Sequence, residues 1–270
     1  MRRFKYFLFV MFLLLSSVNI VSGQPGNLFY SGESLTYRVC WSIFRLGTIQ
    51  IEAWRDSTLS DTDLYKVSMI VKSNPDIPFV NISEINETLI SASDCMSMEF
   101  LARHTNDEED LQIECIYMED FNKAIFSVKD LNTDRLTRFN ILEHVKPYLD
   151  GPSLFYFARQ NSQSGKVLTI PTLIDGKMQE TILNFTGEAE YIEIDALEFP
   201  VRARKYTGIA KWTGGTSAGL GGNFNGWVCD DHFAVTLRAE MEVFLGSVVI
   251  ELEDFHRPDW IPNTLVNNDQ

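Results

Sequence analysis

Leu35-Thr36-Tyr37-Arg38-Val39-Cys40-Trp41-Ser42-Ile43-Phe44 places an apolar side chain at every second position, namely Leu35, Tyr37, Val39, Trp41 and Ile43. Thr36, Arg38, Cys40, Ser42 and Phe44 form the other face. A period of two belongs to a strand with one face on a core, because successive side chains of a strand point opposite ways. The same rule recurs at Val67, Met69 and Val71, at Leu111, Ile113, Cys115 and Tyr117, and at Val235, Leu237, Ala239, Met241 and Val243. Further strands are predicted at 49–54, 98–103, 123–129, 166–170, 177–185, 189–194, 199–205 and 248–255. Many strands with little helical periodicity predict an all-β chain with minor α content. The expected architecture is a curved antiparallel sheet or incomplete barrel.

One helix is predicted. Asp150-Gly151-Pro152-Ser153 is a turn able to start it, with Pro152 tolerated in its first turn. Leu154, Phe155, Phe157 and Ala158 then form an apolar stripe, expected against the concave side of the sheet. Trp41 shares the face of Tyr37 and is expected to point into that interior.

The N-terminus has the layout of a secretory signal peptide. Arg2, Arg3 and Lys5 precede the apolar run Phe7–Leu15, and Val21 and Gly23 stand three and one residues before a cut ahead of Gln24. The run is shorter than the roughly 20 residues of a bilayer span, so no stable transmembrane anchor is expected after cleavage. The predicted organisation is a signal peptide at 1–23, a single β-rich domain at 24–262 with a flexible glycine-rich loop at 213–226, and a loose tail at 263–270. Removing Arg2, Arg3 and Lys5 leaves 20 basic against 37 acidic residues, a net charge of −17. That balance argues against nucleic acid and anionic membrane surfaces, where basic residues supply the binding energy. Export permits disulfides. Cys40, Cys95, Cys115 and Cys229 allow three pairings, and a buried free thiol at Cys115 is an equal reading.

No catalytic or metal motif keeps its structural context. Gly215-Thr216-Ser217-Ala218-Gly219 matches GxSxG, with Asp230, Asp231 and His232 downstream. In a hydrolase that serine sits on a strand-to-helix elbow. Here the helix would run through Leu220-Gly221-Gly222-Asn223-Phe224-Asn225-Gly226, a poor helix former. Asp130-Leu131-Asn132-Thr133-Asp134 begins like a calcium loop but has Arg135 in place of the turn glycine. Histidines 104, 144, 232 and 256 show no ligand spacing, so no metal and no cofactor is predicted.

Three stretches together carry a resemblance. Gly32-Glu33-Ser34-Leu35-Thr36-Tyr37-Arg38-Val39-Cys40-Trp41 with Gly47, then Asp150–Arg159, then Trp227-Val228-Cys229-Asp230-Asp231 with Gly246–Leu252 resemble the opening, helix and closing motifs of bacterial domain-of-unknown-function family 3108. The resemblance implies an exported, β-rich envelope protein with no assigned activity. The glycine insertion before Trp227 and Phe233-Ala234-Val235 after the aspartates depart from the family pattern.

The expected function is that of a non-catalytic protein of the periplasm or cell envelope, binding a lipid-like or envelope-derived molecule. Tyr37, Trp41, Phe155 and Trp227 are the candidate ligand-binding residues. The alternatives are a secreted hydrolase using Ser217, Asp230 and His232, or a purely structural or assembly factor.

Overall fold

The computed structural model describes residues 28–57, 63–77, 81–212, 222–243 and 246–264. The expected signal peptide and Ser217 lie outside them. Eight strands come first: β1 (Glu33–Trp41), β2 (Phe44–Arg55), β3 (Leu64–Ser73), β4 (Ser83–Ser91), β5 (Ser97–Thr105), β6 (Asp110–Met118), β7 (Lys123–Asp130) and β8 (Arg135–Glu143). The helix α1 (Gly151–Asn161) follows. Then come β9 (Val167–Ile174), β10 (Lys177–Ile192), β11 (Val201–Ala210), β12 (Gly222–Cys229), β13 (Thr236–Glu242) and β14 (Ser247–His256).

All fourteen strands form one antiparallel sheet in the order β8-β7-β6-β5-β4-β3-β2-β1-β14-β13-β12-β11-β10-β9. Each neighbour except β14 beside β1 is also a neighbour in sequence. The chain thus builds half the sheet outward from β1 to β8. It then crosses through α1 and returns inward from β9 to β14.

Packing shows that the sheet is strongly curved. Ile90 of β4 and Leu183 of β10 are eight places apart in the strand order, roughly 38 Å in a flat sheet. Both belong to one buried cluster with Tyr156, Phe157 and Ala158 of α1. Phe126 of β7 and Leu173 of β9, farther apart still, share a second cluster with Cys115 and Tyr148. The edges β8 and β9 nevertheless form no ladder with each other. The link from β8 to α1 fills the gap: Leu149 N donates to Pro171 O (3.0 Å), and Leu173 N donates to Leu149 O (2.8 Å). The result is an incomplete barrel with its helix inside, as the alternation predicts.

Four details differ from the sequence reading. Gly222–Gly226, predicted as part of the glycine-rich loop, belongs to β12. Glycine supplies no side chain, but rings from the adjacent strand cover it. Gly226 is paired with Tyr206 and Gly208 with Phe224. A Cβ at Gly226 would lie 2.2 Å from Tyr206 Cζ, and one at Gly208 2.1 Å from Phe224 Cζ. Such aromatic cover restores the packing that a strand glycine lacks. The remainder of that predicted loop, 213–221, lies outside the described residues.

Asn263 and Thr264, predicted as the start of the tail, are tied to β11. Asn263 O accepts from Arg202 N (2.9 Å), and Thr264 forms a bridge with Val201. The segments predicted at 177–185 and 189–194 are one strand with an irregularity between Phe185 and Ala189. Finally, Trp41 does not point inward. The β1–β2 register shifts between Val39 and Cys40, and Trp41 lies half-exposed at the end of β1, stacked on Phe44. All four cysteines carry free thiols, three of them buried.

Candidate functional site

Helix α1 begins with a reciprocal cap. Ser153 N donates to Asp150 Oδ1 (2.9 Å), and Asp150 N donates to Ser153 Oγ (2.6 Å). Each bond satisfies a backbone or side-chain group that burial would otherwise leave unpaired. The other oxygen of Asp150 accepts from Thr88 Oγ1 (2.7 Å) and Ser97 Oγ (2.6 Å), tying the cap to β4 and β5. Burial pushes the Asp150 carboxyl above its ordinary value, and these hydrogen bonds offset only part of that.

At the other end of the helix, Arg159 and Glu33 are fully buried and joined at two points, Nη1 to Oε1 (2.6 Å) and Nη2 to Oε2 (3.1 Å). Tyr156 OH donates to Glu33 Oε1 (2.8 Å), and Arg257 Nη1 donates to Glu33 Oε2. Arg159 also donates to Ala234 O (3.0 Å) and Phe233 O (3.1 Å), in the β12–β13 turn. Burial alone would raise the Glu33 carboxyl, but the Arg159 guanidinium, its hydrogen bonds and Arg257 hold it below its ordinary value. A carboxylate held ionised by two guanidinium groups is a poor base, and it faces packed side chains. This cluster fastens α1 to the sheet.

Chemically distinct is a cavity of about 220 Å³ beside the first turn of α1. Phe100, Ala102, Ile113, Phe126, Leu173 and Trp212 give it apolar walls, with Glu84, Asn86 and Asp175 as polar lining. Asp175 comes from the β9–β10 turn, and Glu84 and Asn86 from β4, whose alternation is inverted. Asn86 and Thr88 are buried there, whereas Ile85 on the other face is exposed. Trp212 is oriented by its Nε1, which donates to Thr181 Oγ1 (3.0 Å). Across the cavity, Arg138 of β8 lies 4.5 Å over the Phe126 ring and donates to Asp175 O, linking the open edge to the β9–β10 turn. The arrangement suits an apolar group with one polar end.

The four sequence-predicted ligand residues do not line this cavity. Tyr37 is buried in the main core, its OH donating to Thr236 O (3.0 Å) and its ring edge-on to Phe155 at 5.9 Å. Trp227 is buried, with Nε1 donating to Glu190 Oε1 (2.6 Å). Trp41 stands at the β1–β2 hairpin. Asp230 is engaged by Arg202 (2.7 Å) and Arg204 (2.5 Å), while Asp231 accepts from Phe233 N and Ala234 N, both at 2.9 Å. Ser217 lies outside the described residues. Asp230 and His232 follow the end of β12. Among the described residues no three His, Cys, Asp or Glu side chains converge as a metal site. Sequence reasoning missed Phe100, Ala102, Ile113, Phe126 and Trp212 as a group, because strands that meet only through curvature leave no local spacing.

The family described as "Protein of unknown function (DUF3108)" matches residues 36–253. The chain belongs to this family. Glu33, which precedes the match, and Asp150, Ser153, Tyr156 and Arg159 within it are buried polar residues that fix α1, and the half-buried Asp231 holds the β12–β13 turn. In this DUF3108 chain the motifs quoted from the sequence therefore include the helix-fastening contacts. No curated protein matches. Among solved structures, the crystal structure of a β-barrel-like protein of domain of unknown function DUF1849 from Brucella abortus is similar, with a TM-score of 0.57. It is 13% identical, over 85% of this chain and 98% of that chain. At that identity the likeness concerns the fold alone.

Proposed function

We propose that the protein is an exported, non-catalytic binding protein of the bacterial cell envelope, holding an apolar, lipid-like group at one end of its curved sheet. The cavity beside α1 carries this reading: its walls are mainly aromatic and aliphatic, and polar groups stand on the same lining. The N-terminal sequence supports export, through Arg2, Arg3 and Lys5 followed by Phe7–Leu15. The volume is below the roughly 300–1,000 Å³ of sites for drug-sized molecules. It suits the end of one acyl chain or a small apolar ring, with the rest of the ligand outside. The hydrolase alternative gains no support from Asp230 and Asp231, whose oxygens already serve arginines and backbone amides.

The test is titration of a neutral naphthylamine fluorophore into wild type and Ala102→Phe. Ala102 is buried on the cavity wall, so the added ring enters the void. Saturable binding by wild type and at least about tenfold weaker binding by the variant are expected, that being about 1.4 kcal/mol. Equal binding by the two would refute the cavity as the site.

A further inference from the structure

The alternating strand directions place the β1–β2, β5–β6 and β9–β10 turns at one end of the sheet. The cavity lies toward that end too, since Ile174, Asp175, Gly176 and Trp212 line it. There the β1–β2 hairpin presents apolar side chains to solvent: Ile43 is 87% exposed, Phe44 51% and Trp41 36%. Two-residue hairpin turns favour Gly, Asn or Asp. This one has Ser42 at φ 53° and a β-branched isoleucine next to it. The Trp41 and Phe44 rings stack with centroids 6.3 Å apart. The hairpin is also held firmly. Asn74 donates to Leu46 O (2.7 Å) and Arg45 O (3.0 Å), and Arg45 makes a two-pronged pair with Glu253, both bonds 2.7 Å.

We propose that this hairpin is a membrane-contacting tip, entering the interfacial layer of an uncharged, zwitterionic lipid surface. The purpose assigned to it rests on the apolar-ligand reading, since contact at this end brings the cavity to a source of such ligands. An indole, a phenyl ring and an aliphatic side chain on one projection suit the boundary between headgroups and acyl chains. Charge selects the kind of surface. The cation of the tip, Arg45, is neutralised by Glu253, and Asp107, Glu108 and Glu109 stand exposed on the β5–β6 loop at the same end. With a net charge of −14 on the whole chain, anionic headgroups are repelled.

The experiment is flotation of the full chain with phosphatidylcholine vesicles. Variants share the same N-terminus, so their differences report the tip. Ile43→Ser/Phe44→Ser is expected to weaken partitioning by about tenfold or more, given the apolar area removed. Phe121→Ser, an equally exposed site in the β6–β7 turn at the opposite end, is expected to leave it unchanged. Adding phosphatidylglycerol is expected to reduce binding. No flotation of wild type, equal flotation of the double variant, or stronger binding to anionic vesicles would overturn the proposal, as would a tip that captures a protein and ignores lipid. Fluorophore binding is read separately in solution. If it fails while the tip substitutions abolish flotation, the cavity reading falls and the docking inference stands.

Discussion

Glu33 is shared by two buried guanidinium groups, those of Arg159 and Arg257, and its substitution exposes the consequences most sharply. Removing one partner of a buried ion pair leaves an uncompensated charge and typically costs about 3–5 kcal/mol. Glu33→Gln is therefore expected to lower stability by about that amount in urea or thermal melts, with α1 loosened at its C-terminal end. A loss below about 1 kcal/mol would mean that the cluster is not a fastening. The buried acids Glu33 and Asp150 respond oppositely to pH. Glu33 is held below its ordinary 4.5, so its contribution is present above that value and is lost as pH falls through the depressed one. Asp150 is raised above its ordinary 3.8, so the folded state keeps a proton that the unfolded chain releases, and stability falls as pH rises through that window. Asp150→Asn retains a good N-cap and removes this titration. Wild type should lose stability relative to the variant as pH rises from 3.8 through the raised value. A gap that stays constant across pH would contradict the assignment.

At the scale of elements, β11 and β12 show how an unpromising sequence becomes a strand. Gly208 and Gly226 are covered by Phe224 and Tyr206 across the ladder, where a Cβ would collide with ring carbons. Gly226→Val is expected to destabilise the protein by about 1–3 kcal/mol through overpacking, visible as a lowered melting temperature. An unchanged melting temperature would show that the ring is free to swing away. The same pair explains part of what the sequence reading left out. Period-two alternation located β1, β3, β6 and β13, where one face meets the core. It could not find β4, whose buried face carries Asn86 and Thr88, or β8, which is exposed along most of its length. The helix was legible from Asp150-Gly151-Pro152-Ser153, because capping is local chemistry. Its buried Tyr156 and Arg159 were not, because their partners lie 123 and 126 residues away at Glu33.

For the whole molecule, the family resemblance and the strand pattern gave the architecture, and the curvature gave the candidate site. Curvature brings Phe126 of β7 toward Leu173 of β9, from nearly opposite ends of the strand order, and no spacing in the chain records that meeting. Trp41 went the other way, from an expected interior position to the exposed tip at the cavity's end of the sheet. The central claim is that this end of the sheet holds an apolar group in the cell. Native mass spectrometry of protein purified from its own envelope, without detergent exchange, tests it most directly. Wild type is expected to carry an additional mass matching a lipid or lipid fragment, released on collisional activation and absent from Ala102→Phe. Wild type at the bare chain mass, or an adduct that Ala102→Phe retains to the same extent, would contradict the account.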